Sequence, residues 1–114
     1  MKTINVKMVS NKMEEEDVLL NVDNVYFFYD SENTTYIRCG DEILSCKENS
    51  EEIFNKITSK WVGMLEEFHM GGYPIYFNTD KIKYFTRVAN RASLVHVGDM
   101  AVGVDEDLCV IRDK

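Results

Sequence analysis

Asn21-Val22-Asp23-Asn24-Val25-Tyr26-Phe27-Phe28 decides the fold, because Asn78-Thr79-Asp80-Lys81-Ile82-Lys83-Tyr84-Phe85 repeats its pattern. Both read Asn-x-Asp-x-aliphatic-x-aromatic-aromatic. Asn and Asp side chains bond their own backbone two residues on and so make turns. The aliphatic and aromatic residues that follow suit a pleated strand. Each stretch therefore predicts a turn that feeds a strand.

The match continues outward. Tyr36-Ile37-Arg38-Cys39-Gly40-Asp41 lies against Leu94-Val95-His96-Val97-Gly98-Asp99 once one inserted residue is allowed, and Glu48 falls near Glu106. Together, and in order, these matches predict a duplicated β-unit. A small meander has one apolar face that it cannot bury alone, so two copies and a helix close a common core.

The strands around these anchors follow from alternation of apolar and polar residues. They are Thr3 to Val9, Val18 to Asn21, Val25 to Tyr29, Thr34 to Cys39 and Glu42 to Lys47, then Ile75 to Phe77, Ile82 to Arg87, Ser93 to Val97 and Met100 to Val104. Ser10 to Glu16 reads as a loop. Between the two sets, Ile53, Phe54, Ile57, Trp61, Met64, Leu65 and Phe68 recur at about 3.6 residues and predict an amphipathic helix over 50–69. Ser50 or Asn49 caps it, Glu51 and Glu52 suit the positive end of its dipole, and Gly71, Gly72 and Pro74 end it. Trp61 is its expected central anchor. The expected fold is α+β, mainly β, with two similar antiparallel β-meander units connected by this one helix. Residues 1–114 are read as a single domain, with unit one at about 17–49 and unit two at about 74–111.

Composition narrows the function. The 114 residues are 45% hydrophobic and 11% aromatic, enough for a real core, and carry a formal net charge of −7. That charge opposes polyphosphate binding, which draws on lysine and arginine. No apolar stretch approaches the roughly 20 residues that cross a bilayer, so a cytoplasmic protein without membrane contact is expected. Three cysteines, Cys39, Cys46 and Cys109, fit neither a disulfide framework nor a zinc ribbon. Cys39 and Cys46 flank the Gly40-Asp41 turn, and a redox pair there requires them on one face. His69 is expected at the helix C-terminus and His96 within a strand, with no serine or cysteine placed to be activated. No catalytic residue, metal ligand or cofactor is predicted.

Two family resemblances attach to particular residues. Leu20-Asn21, Val25 to Phe28, Gly40-Asp41 and Lys47-Glu48-x-Ser50-Glu51-Glu52-Ile53 resemble the small FlbD/SwrD-like flagellar proteins over the first half. Phe68, His69, Tyr73, Ile75, Phe77, Asn78 and Ile82, within Leu20 to Leu108, resemble the LytTR family of bacterial DNA-binding domains. The second resemblance implies a β-rich layout and, as an alternative function, a nucleic-acid face made of Lys81, Lys83, Arg87 and Arg91. Lys81 and Lys83 are expected on one strand face.

The leading expectation is a small, acidic, non-enzymatic interaction or regulatory module, of bacterial or phage origin, that binds a protein partner. A basic partner suits its charge, and a homodimer is a further expectation. An alternating strand places only half of the rings in Tyr26 to Tyr29 in one core, so Tyr26 and Phe28, with Glu51 and Glu52, are the expected contacts. Besides the LytTR-like alternative, an acidic phage-type inhibitor of a nucleic-acid-binding protein is carried. It requires Glu14 to Asp17, Glu48 to Glu52 and Asp105 to Asp107 to converge on one surface.

Overall fold

The computed structural model describes residues 2–9, 15–57, 61–65, 74–89, 92–106 and 108–112. The chain is mainly β and its described strand pairs are antiparallel. The chain divides into two compact units, Met1–Ser59 and Lys60–Lys114.

The first unit contains β1 (Thr3–Val9), β2 (Glu15–Asn21), β3 (Val25–Ser31), β4 (Thr34–Cys39), β5 (Glu42–Cys46) and α1 (Ser50–Lys56). Its strands lie side by side as β2-β1-β5-β4-β3. β2 begins earlier than expected, at Glu15, because Glu15 pairs with Val9 and the two strands run in full register to Thr3 and Asn21. The expected loop therefore loses Glu15 and Glu16 to the strand, while Ser10 to Glu14 lie outside the described residues. A 3₁₀ turn, Val22–Asn24, joins β2 to β3, and the Asn21 side chain accepts from Asp23 N at 3.2 Å. Cross-strand partners such as Phe28 and Ile37 share one face. Both are fully buried, as are Val6 and Cys46.

Asp30 fastens that sheet to α1. Its carboxylate accepts from Thr35 Oγ1 at 2.6 Å and from the backbone and hydroxyl of Ser50 at 2.9 and 2.6 Å. Asn49 caps the helix, its side chain accepting from Glu52 N at 2.8 Å while its amide donates to the Glu52 carboxylate at 3.1 Å. Ile53, one turn inside, is fully buried.

The second unit contains β6 (Trp61–Leu65), β7 (Pro74–Asn78), β8 (Ile82–Ala89), β9 (Ala92–Val97), β10 (Met100–Val104) and α2 (Leu108–Arg112). The helix expected over 50–69 is thus corrected: it stops at Lys56, and Trp61–Leu65 is a strand paired in register with Pro74–Asn78. An apolar residue every fourth position also occurs in a short continuous apolar run, and Trp61-Val62-Gly63-Met64-Leu65 is such a run. The expected helix end at His69 and Gly71-Gly72 lies outside the described residues.

A 3₁₀ turn, Thr79–Lys81, precedes β8, and the Asn78 side chain accepts from Asp80 N at 3.1 Å. The three-stranded sheet runs β10-β9-β8. Along β9, Ser93, Val95 and Val97 are fully buried while Leu94 and His96 between them are partly exposed, so the sheet has an inner and an outer face. Ser93 Oγ donates to the Glu106 carbonyl at 2.8 Å, tying the inner face to the segment before α2. Gly40 and Gly98 stand at the β4–β5 and β9–β10 turns with φ of 58° and 56°, the left-handed conformation that glycine adopts without Cβ strain.

Candidate functional site

The outer face of β8 and β9 carries a cluster of three side chains, Tyr84, Thr86 and His96. After Ile82 pairs with Val97, the register shifts, and Tyr84 rather than Lys83 comes opposite His96. A bulge of this kind re-aims a side chain. The two rings stack with centroids 4.1 Å apart and planes at 22°. Thr86 Oγ1 lies 2.9 Å from His96 Nε2, so the imidazole is held by a ring on its face and a hydroxyl on its edge. Tyr84 nevertheless remains 55% exposed, as does Val88. Lys83, Tyr84, His96, Asp99 and Met100 border an open groove of about 360 Å³.

A hydroxyl against an imidazole is also nucleophile-and-base spacing. Among the described residues no carboxylate bonds the second ring nitrogen, and Tyr84 occupies the ring face. Among those residues, no three His, Cys, Asp or Glu side chains gather as metal ligands.

The expected contact residues of the first unit are dispersed. Tyr26 is half-buried at a register shift in β3, and Glu51 and Glu52 are exposed in the first turn of α1. Phe28 is a correction: it has no exposure, and its neighbour Phe27 has only 6%. β3 is covered on both faces, so its consecutive rings both go inward, as in strands buried on two sides. Phe28 cannot meet a partner in this state.

The expected basic face is also corrected. Lys81 sits in the 3₁₀ turn rather than on a strand, Lys83 in the bulge, and Arg87 opposite Ser93, on the face of Phe85 and Val95. Lys83 and Arg87 therefore point to different sides of β8. Arg91 lies outside the described residues.

Of the acidic clusters, Glu48 is turned inward. Its carboxylate accepts from Lys7 N at 3.0 and 3.2 Å and from Cys46 Sγ at 2.8 Å, with Lys56 Nζ 3.9 Å away. It locks the end of β5 to β1 and is removed from the acidic surface. Glu15, Glu16 and Asp17 are exposed on β2, where Glu15 pairs with Lys47. Glu14 and Asp107 lie outside the described residues.

The cysteines do not form a pair. Cys39 stands opposite Glu42 and Cys46 opposite Thr35, at opposite ends of the β4–β5 ladder. That separation, about 13 Å along the strands at ~3.3 Å per residue, is beyond disulfide reach. Burial, aided by Glu42, pushes the Cys39 thiol up to about 11, and burial with the Glu48 bond pushes Cys46 up to about 12. Cys109 is exposed.

The sequence reading missed the Tyr84–His96–Thr86 cluster. Alternation puts His96 on the face away from Val95 and Val97, but the bulge that brings Tyr84 over it carries no residue signature of its own. No helix among the described residues is long and apolar enough to cross a membrane. No protein-family model, curated protein or solved structure matches the chain.

Proposed function

We propose that this chain is a small non-enzymatic interaction module that binds a protein partner through the outer face of β8 and β9. The observation that carries the reading is Tyr84: a ring 55% exposed yet already fixed by stacking on His96. Aromatic anchors dominate protein interfaces, and a side chain ordered before binding loses little entropy on association. The stack therefore supports a contact residue rather than a solvated surface ring. Met100 and Ala101 extend the apolar area along the groove, and Lys83 and Asp99 supply a polar rim.

The dispersal of Lys81, Lys83 and Arg87 supports this reading over a nucleic-acid face, and the inward Glu48 weakens an acidic mimic. The test is affinity capture from the native cell with the wild-type chain and with Tyr84→Ala in parallel. A protein held by the wild type and lost with Tyr84→Ala supports the proposal. Identical captures from both chains overturn it.

A further inference from the structure

The exposed position of Tyr84 has a buried counterpart in the first unit. Phe27 and Tyr84 each stand two residues beyond the residue that closes a 3₁₀ turn, Val25 and Ile82. Each follows a register shift, and each faces a nitrogen-bearing side chain, Arg38 and His96. Phe27 is 6% exposed and Tyr84 55%. The same local geometry is covered in one unit and bare in the other.

The bare face carries charges suited to its own copy. Lys83 follows the first rung of the β8–β9 ladder and Asp99 lies in the turn just after Val97, so both stand at the same end of the sheet, Lys83 on β8 and Asp99 between β9 and β10. The described ion pairs, Lys47 with Glu15 and Lys56 with Glu48, involve neither. A two-fold axis running along the strands keeps that end in place and exchanges the two sides of the sheet. With the axis midway between the two residues, Lys83 of each copy lies over Asp99 of the other, twice, beside Tyr84, the next residue of β8. An isologous interface needs this self-complementarity.

We propose that a second copy of this chain covers the outer face of β8 and β9, forming a two-fold dimer with Tyr84 at its centre and reciprocal Lys83–Asp99 pairs at its rim. The inference rests on the reading that this face binds protein, and it names the partner.

Sedimentation of the full chain over a concentration series tests it. The wild type sediments as a dimer that dissociates on dilution. Tyr84→Ser raises the dissociation constant by about tenfold or more, the loss typical of a central aromatic contact. Lys83→Glu and Asp99→Lys each weaken the dimer by setting like charges together, and the double variant restores it. That rescue cannot arise from misfolding, and circular dichroism melts identify any single variant that fails to fold. Leu19→Ser, at a residue 70% exposed in the first unit, leaves the dimer unchanged. A monomer at every concentration, a dimer indifferent to Tyr84→Ser, or a charge exchange without rescue overturns the inference. A monomeric chain that still captures a different protein through Tyr84 overturns the dimer alone and leaves the proposed function standing.

Discussion

Ser50 is bonded to Asp30 twice, its backbone N–H at 2.9 Å and its hydroxyl at 2.6 Å, so the first residue of α1 is fixed to the end of β3. The same carboxylate takes the Thr35 hydroxyl, and Thr35 and Ser50 are only 1% and 2% exposed. Removing the acceptor strands buried donors, which is costlier than the net worth of the bonds. Asp30→Ala is therefore expected to lower unfolding free energy by about 2–4 kcal/mol, and Thr35→Val by about 1 kcal/mol. Urea titrations followed by circular dichroism measure both. Equal, negligible losses would show that Asp30 does not hold the helix.

The 3₁₀ turns give a paired prediction. Asn21 is partly exposed whereas Asn78 is 4% exposed. Asn21→Ala is expected to cost about 1 kcal/mol, the usual value of a lost cap, and Asn78→Ala more, because its loss leaves a buried polar gap. Thermal melts of the two variants rank them, and the opposite ranking contradicts the assignment.

Gly40→Ala isolates backbone strain from crowding. A Cβ added at Gly40 meets nothing within 4 Å, yet φ is 58°. The expected cost is about 1–2 kcal/mol, all of it conformational, and Gly40→Asn costs less because asparagine tolerates that region. A denaturation series that finds Asn as costly as Ala would point to a different cause.

Cys39 and Cys46 stay protonated at neutral pH. With its thiol at about 11, Cys39 is thiolate in only about one molecule in ten thousand at pH 7. Thiol reagents are expected to modify Cys109 in the folded chain and the other two only on unfolding. Folded values above the ordinary 9.0 also set the direction of linkage. The thiols' contribution to stability is complete below pH 9 and is lost as pH rises through about 11 to 12. Melting temperatures should therefore fall with rising pH above 9, and less steeply in the Cys39→Ala, Cys46→Ala double variant. Parallel slopes would refute this.

Much of this fold was legible. The Asn-x-Asp turns, the glycine reversals and the strands between Val18 and Cys46 and between Ile75 and Val104 follow from local chemistry that tertiary packing does not overrule. The helix was overextended because Ile53, Ile57, Trp61 and Leu65 fit a four-residue spacing, while the strand at Trp61–Leu65 is settled by its partner Pro74–Asn78, which local spacing does not encode. α2 was missed because its five residues give too little sequence for a period to emerge. Phe28 was misplaced for a related reason: an aromatic run does not say whether one face of its strand is covered or both. The Tyr84–His96 face depends on a one-residue bulge, so its parts were visible and their meeting was not.

The Tyr84 face is the proposed place where this protein meets another. Site-specific photocrosslinking in the native cell tests it most directly, with the reactive group placed at position 84 and, as control, at position 19, which is 70% exposed on the first unit. A discrete protein adduct is expected from position 84, absent or far weaker from position 19. No adduct from position 84, or the same adducts from both positions, would contradict it.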